Sequence, residues 1–370
     1  DTVTFSLSHP RNLSVEVNGD IFHNLHLFAN PIDKFRPSDK EIKRALKKKK
    51  GSNLIYFGPG VHNLPNDTLF VPSGTTVYID GGARVYGNIF TEGAHDVNIF
   101  GRGEVHPDGR GAGVWVRRSK NVRIDGIVVS QLPIGQCDSV ELTNVKSISY
   151  YGWGDGMDVF SSSNVILDGV FCRNSDDCTA VYASTQGFKG GSNNVLVKNA
   201  TLWADVAHPI NIGGHGDPNG MDTVQNVTFR NIDILDQAEK QIDYQGCLAI
   251  NPGDNTLVRN ITFENIRIED FRNGQLVNFR ISFNPKYCVS TGRGIHNVLV
   301  KDVTYNGSGE NLSIIAGYDE NHKISGIRFV NLVVNGRKIT DDMPGKPKWY
   351  KTGDMAGIFI GEHVENISFE

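Results

Sequence analysis

An asparagine followed by an apolar residue returns along most of this chain, and no other feature limits its fold so tightly. Asn226-Val-Thr-Phe-Arg-Asn-Ile-Asp-Ile and Asn260-Ile-Thr-Phe-Glu-Asn-Ile-Arg-Ile are the clearest copies; others begin at Asn121, Asn164, Asn194 and Asn297. Degenerate copies lie near Asp96, Asn144, Gly326 and Glu365. The apolar anchors Val97, Val122, Val145, Val165, Val195, Val227, Ile261, Val298, Ile327 and Ile367 follow one another at steps of 20 to 40 residues. An earlier segment, Thr76-Val77-Tyr-Ile-Asp-Gly-Gly, stands 20 residues before Val97 and extends the series. Apolar residues alternate within each copy, a period of two that marks strand rather than helix. Five residues past the asparagine position comes Gly126, Gly169, Asn199, Asn231, Asn265, Asp302 or Asn331. These residue types tolerate positive φ, so the column predicts a sharp bend between two short strands.

Each unit also holds a further strand, as in Met157-Asp-Val-Phe, Thr179-Ala-Val-Tyr, Pro209-Ile-Asn-Ile, Cys247-Leu-Ala-Ile, Phe279-Arg-Ile-Ser, Ser313-Ile-Ile-Ala and Gly357-Ile-Phe-Ile. Units of two or three short strands separated by bends stack as a solenoid, and uneven steps are tolerated when insertions leave from one corner. A propeller needs hairpins and steadier spacing, and a leucine-rich repeat needs a leucine ladder. The expected fold is all-β, a single-stranded right-handed parallel β-helix of about ten coils over residues 51–370. Residues 1–50 read differently. Leu13 to Gly19 and Ile21 to Phe28 suggest a small β-element. Ser38-Asp-Lys-Glu41 has capping-box spacing for a helix whose last turn is Lys47 to Lys50, closed by Gly51. This segment is expected to cap the first coil.

Composition narrows the functional class. A net charge of −4 and pI near 6.3 give no basic footprint for nucleic acid. No stretch approaches 18 uninterrupted apolar residues, so no membrane-spanning helix is expected. The five cysteines, at 137, 172, 178, 247 and 288, show no CxxC and no Cys/His spacing suited to zinc. They read as small buried hydrophobes, with a Cys172–Cys178 bridge as the alternative. No cofactor or metal is expected. The chain begins at Asp1, which reads as processed, and a secreted or periplasmic location is expected on functional grounds. The eight Asn-X-Ser/Thr triplets fall partly in the repeat turns, where asparagine serves the backbone, so they say little about glycosylation.

The chemistry gathers where three successive coils are aligned on Val159, Val181 and Ile212. Four residues before each stand Asp155, Asp177 and His208, with Asp176 beside them. Equivalent positions on neighbouring coils lie about 4.8 Å apart, so these side chains are predicted to form one column on one face. Close carboxylates raise one another's pKa and cost stability. A structural solution would use Asn or Ser, whereas carboxyls held apart in pKa are what acid–base chemistry requires. The alternatives for Asp176-Asp177 are turn residues or a calcium site.

The stretches Gly154-Asp155-Gly156-Met157-Asp158, Asn174-Ser175-Asp176-Asp177-Cys178 and His208-Pro-Ile-Asn-Ile-Gly213 resemble the active-site core of β-helix glycoside hydrolases. They are similar to the polygalacturonases of family 28, with their Asn-Thr-Asp, Asp-Asp and Gly-His motifs, and to the dextranase and isopullulanase group of family 49. Tyr56-Phe-Gly-Pro-Gly-Val-His and Val77-Tyr-Ile-Asp-Gly-Gly-Ala look like the first coils of the latter. The resemblance implies inverting hydrolysis of a polysaccharide or oligosaccharide. It casts Asp176 as general acid, Asp155 and Asp177 as holders and activators of the attacking water, and His208 as tuner of the acid. Inversion calls for roughly 6.5–9.5 Å between acid and base carboxyls.

Departures from the family pattern bear on the substrate. Trp153 stands where family 28 has its asparagine, and the Arg-Ile-Lys clamp falls at Ala249-Ile-Asn251, without a cation. Arg280, one coil on, is either a replacement for that clamp or half of a structural ion pair. Trp153 and Trp203 precede the aspartate and histidine positions and are candidate sugar platforms, with core or loop packing as the alternative. Tyr244, Asn251 and Asn278 lie on later coils of the same face and are further candidates for the cleft. Two other functions fit such a scaffold: a polysaccharide lyase, which commonly uses calcium with a Lys or Arg base, and a non-catalytic carbohydrate-binding solenoid.

Overall fold

Strand accounts for 52% of the chain and helix for 4%, as the repeat requires. The computed structural model describes residues 2–47, 51–308 and 310–370. The strands stack in parallel into one continuous right-handed β-helix with three faces. The first face holds the Asn-anchored strands, from His95–Gly101 through Lys120–Asp125, Asp138–Thr143 and Ser163–Asp168. From Ser192–Ala204 onward one long strand per coil bends across the first and second faces, as in Thr223–Gln237 and Leu257–Ile268. The third face holds the short strands Val159–Phe160, Thr179–Tyr182, Ile210–Ile212, Leu248–Ile250, Val277–Arg280 and Ser313–Ala316.

Alternation decides what lies inside. Val165, Val195, Val227, Ile261, Val298 and Ile327 pair in sequence across coils and are buried in the bore. Val159, Val181, Ile212, Ile250 and Phe279 line the bore from the third face. Stacked Phe229, Phe263 and Phe279 fill its wider part.

Both asparagine columns are left-handed corners, not only the bend column. Asn164, Asn194, Asn226 and Asn260 have φ of 55–57°, and Asn199, Asn231 and Asn265 have φ of 54–56°. This explains a misplaced anchor. Val122 pairs with Val140, and Val140 with Val165, so the unit anchored on Val145 is in fact anchored on Val140. Asn144 belongs to the bend column, and Ser139 (φ 61°) takes the first corner of that coil. Asparagine satisfies both corners equally well, so its presence alone does not say which corner is being turned. Similarly, Val77 pairs with Ile99 rather than Val97, a two-residue slip that keeps the same side chains facing inward.

The N-terminal segment does two jobs. The helix Asp39–Leu46 starts at Ser38 with the expected capping box and buries Ile42 at the first coil. Lys47 follows it as C-cap, and Lys48 to Lys50 lie outside the described residues. The antiparallel pair Arg11–Val15 and Leu25–Ala29 does not sit on the end of the helix. It runs down the side instead: Phe28 meets Phe171, and Arg173 donates to the Asn24 side chain and the Ile21 carbonyl. Lys146, fully buried, is held by Asn30 and by Asn144. All five cysteines are free and buried, so Cys172 and Cys178 do not pair.

Candidate active site

The third-face strands set Asp155, Asp177 and His208 in register. Val159 lies opposite Val181, and Val181 opposite Ile212. The ladder continues upstream, with Gly156 N donating to Asp177 O at 2.8 Å and Cys178 N to His208 O at 2.8 Å. Coils approach closely here. A Cβ on Gly156 would lie 2.2 Å from the Cys178 carbonyl oxygen and 2.6 Å from Asn174 Oδ1, so glycine is required beside Asp155. Asn174, fully buried, donates to Ser149 Oγ (2.9 Å) and to the Asp155 carbonyl (3.2 Å), fixing that turn.

The carboxyls differ sharply in environment. Asp177 is buried and accepts four hydrogen bonds: from His208 N (3.1 Å), His208 Nδ1 (2.7 Å), Asn211 Nδ2 (2.9 Å) and the Tyr182 hydroxyl (2.8 Å). Burial pushes its pKa up, but His208 and these donors outweigh burial and hold it below the usual value. Burial works to lower the His208 imidazole, but the Asp177 carboxylate outweighs it and raises the imidazole above its ordinary value. Asp176 has no such shell. Among the described residues its carboxylate accepts one hydrogen bond, from the Asp177 amide to Oδ1 at 3.0 Å, and burial together with the Asp177 charge pushes its pKa up to about 7. Adjacent residues in sequence therefore stand on opposite sides of the ordinary carboxyl value.

Asp155 is raised well above its usual range by burial and by the charges of Asp176 and Asp177. Asp158, which the sequence reading quoted but gave no role, is its immediate partner. It is 3% exposed, accepts from Ala180 N at 3.2 Å, contacts the Asp155 side chain and is itself raised by burial and by Asp155. A proton shared between Asp155 and Asp158 satisfies both. Sequence reasoning also passed over Tyr182 and Asn211, although each occupies an outward position between core residues and was readable from the alternation. Glu239 carried no signal: it arrives on a loop, is 4% exposed, and its charge raises both Asp176 and His208.

The remaining candidates divide. Trp153 is 70% exposed at the mouth of the column, and its carbonyl accepts from Gln131 Nε2 at 2.7 Å. Tyr244 is half-buried against Tyr287, and its carbonyl faces the His208 ring, whose Nε2 has no hydrogen-bond partner among the described residues. Asn251 is nearly buried, and its Oδ1 has no hydrogen-bond partner among the described residues. Arg280 is committed to Asp243 at 2.6 Å. Trp203 is a correction. It is buried on the second face beneath the N-terminal pair, with the Arg173 guanidinium 4.0 Å from its ring, and offers no platform to a sugar. Asn278 is another: it is fully buried, and its amide is used by Gln275 and Asn251.

No helix among the described residues is long and apolar enough to cross a membrane. Similarity to known proteins runs through this same region. A polygalacturonase of Juniperus ashei is 27% identical over 219 residues, covering 56% of this chain and 39% of that protein. The chain spans about half the length of the curated relatives it matches. The Yersinia enterocolitica family 28 exopolygalacturonase superposes over 93% of this chain and 79% of its own, with a TM-score of 0.62 at 13% identity. Dex49A of Penicillium minioluteum superposes over 86% of this chain and 60% of its own, with a TM-score of 0.52 at 14% identity. Residues 114–344, which include every member of the aspartate column, match the family described as "Glycosyl hydrolases family 28", and the chain belongs to that family.

Proposed function

We propose that this protein hydrolyses O-glycosidic bonds in a polysaccharide or oligosaccharide with inversion, outside the cytoplasm, using the Asp155–Asp176–Asp177–His208 column. The observation that carries this reading is the opposite displacement of two neighbouring carboxyls. Asp176, with a pKa of about 7, retains a proton near neutral pH that it can deliver to the departing glycosidic oxygen. Asp177 stays ionised. Together with Asp155 it orients the attacking water and accepts its proton, while Asp158 lends Asp155 a place to share that proton. The imidazolium of His208 stabilises Asp177 and keeps the acid's neighbourhood from becoming wholly negative. Family membership and the polygalacturonase relatives support the hydrolase reading over a lyase or an adhesin.

The substrate read from the site is an uncharged sugar at the point of cleavage. Five carboxyl groups, Asp155, Asp158, Asp176, Asp177 and Glu239, converge here, and among the described residues the positive charge facing them comes from His208. On the following coil the outward positions are Ala249 and Asn251. Arg280 is neutralised by Asp243, and Lys286 donates to Gln241 Oε1 at 3.0 Å on the rim. A uronate carboxylate placed among these acids would meet like charge without a dedicated partner. Trp153 offers an aromatic face for the apolar side of the ring.

Product analysis on a panel of neutral and acidic polysaccharides tests both statements. New reducing ends of inverted anomeric configuration, with no ultraviolet-absorbing unsaturation, are expected. Unsaturated products would replace the hydrolase with a lyase, and binding without cleavage would point to an adhesin. Carboxyl-reduced polygalacturonan should be cut faster than the native polymer, and the reverse order would remove the neutral-sugar assignment while leaving hydrolysis intact.

A further inference from the structure

Downstream of the column, three loops leave the third face after Ile210–Ile212, Leu248–Ile250 and Val277–Arg280, and they converge again. They carry His215, Asp254 and Cys288, and one donor atom from each lies within 4.8 Å of the other two. We propose that His215, Asp254 and Cys288 form a binding site for a divalent cation of the zinc class.

The backbone around them is closely tied. Gly253 N donates to Gly213 O at 3.1 Å, Asp254 N to Ser290 O at 2.9 Å, and Gly292 N to Pro252 O at 3.0 Å. Cys288 Sγ sits so near Gly253 that a Cβ there would lie 2.2 Å from it. Asp254 Oδ1 accepts from Val289 N at 2.8 Å, which orients the carboxylate and leaves Oδ2 without a hydrogen bond among the described residues. The His215 ring is mostly buried edge-on to Tyr182, at 5.1 Å between centroids, and its nitrogens likewise carry no hydrogen bond or ion pair among the described residues. Asp254 and Cys288 are 7% and 5% exposed. A purely structural His–Asp contact would close to hydrogen-bond length; here imidazole, carboxylate and thiol face one another with none of them bonded to another.

The donor set fits a borderline-soft cation. Nitrogen, oxygen and sulfur ligands at about 2.0–2.3 Å from tetrahedral zinc stand roughly 3.3–3.8 Å from one another, so donor atoms within 4.8 Å need draw together by no more than about 1.5 Å. The Cys288 thiol donates to the Gly214 carbonyl at 3.2 Å. Binding zinc converts it to thiolate and releases its proton to solvent. A fourth position remains for water. His215 packs on Tyr182, whose hydroxyl donates to Asp177, so the cation would act as a positioning element for the wall of the cleft rather than on the reacting atoms.

Cobalt(II) added to chelator-stripped full-length protein is the test. One equivalent should bind with the visible spectrum of a tetrahedral site and a thiolate-to-cobalt charge-transfer band. Cys288→Ser should lose that band, whereas Cys247→Ser should keep it. Zinc should raise the Tm of the wild type and leave that of Cys288→Ser unchanged. Absence of a thiolate band in the wild type overturns the proposal without recourse to any variant. A band that persists in folded Cys288→Ser overturns it equally.

Discussion

Along one corner of the solenoid Asn199, Asn231 and Asn265 stack amide on amide; along the third face Asp155 and Asp177 stack carboxyl on carboxyl, ending at His208. Coil spacing is the same in both columns, about 4.8 Å. An amide both donates and accepts, so Asn231 donates to Asn199 Oδ1 at 2.7 Å while accepting from Asn265 at 3.2 Å, and the ladder can be extended by any number of coils. An ionised carboxylate only accepts. The aspartate column therefore cannot satisfy itself, and it draws in Tyr182, Asn211 and His208 for Asp177 and a shared proton for Asp155 and Asp158. Asp176 is left outside these arrangements with its raised pKa. The corner column satisfies its own hydrogen bonds, whereas the face column leaves Asp176 with a pKa raised to about 7.

The largest expected effect comes from making the second column more like the first. Asp176→Asn replaces the proposed general acid with an amide that keeps the bond from the Asp177 amide. Activity on natural glycosides should fall by about 10²–10⁴-fold, the usual worth of general acid catalysis. The loss should be much smaller on an aryl glycoside such as a nitrophenyl derivative, whose leaving group needs no proton. Asp155→Asn and Asp177→Asn should be poor on both, because water must be activated whichever group departs. Equal losses for all three variants on both substrates would contradict the division of roles.

A smaller effect concerns pH. A carboxyl whose folded pKa is about 7 against an ordinary 3.8 costs the fold nothing below the ordinary value. The cost grows as pH rises from there to about 7 and is constant above. Asp176→Asn removes it. The variant should be more stable than the wild type at pH 8 by about 1–4 kcal/mol, and the advantage should vanish below pH 4. Urea denaturation at the two pH values measures this. In the wild type kcat/KM should decline above about pH 7 as Asp176 loses its proton, and this alkaline limb should be missing from the residual activity of the variant. An advantage that is equal at both pH values would mean that Asp176 is not the raised group.

How far the chain could be read in advance follows from the same contrast. The register of Asp155, Asp177 and His208 was legible because their neighbours Val159, Val181 and Ile212 must face the bore, which fixes position modulo two and coil by coil. The Val145 anchor was misread because asparagine serves two left-handed corners and the coil turning at Ser139 lacks one of them. Trp203 was misplaced for a different reason. Whether an outward residue meets solvent depends on what lies over it, and the segment covering Trp203 is an N-terminal pair that obeys no repeat. Asn278 was lost in the same way, covered by Gln275, Asn251 and the backbone at Gly246. The cluster of His215, Asp254 and Cys288 is invisible to motif spacing, since its members are three coils' loops brought together by insertions of unequal length.

The smallest effect belongs to the corner. Asn231 sits at φ 56°, donates to Asn199 and accepts from Asn265. Asn231→Ala removes both bonds and places a β-carbon in the left-handed region, where a non-glycine residue costs about 1–2 kcal/mol. Asn231→Gly removes the same bonds but relieves the backbone, so it should cost less than alanine. Asn231→Asp keeps the acceptor and loses the donor, facing Asn199 Oδ1 with a second acceptor, and should fall between the two at neutral pH. All three should leave kcat unchanged, because the corner lies on a different face from the aspartates. Urea midpoints ordered glycine, aspartate, alanine from most to least stable would support the account. An alanine variant as stable as glycine would show that the amide ladder, rather than the corner's backbone geometry, governs the cost.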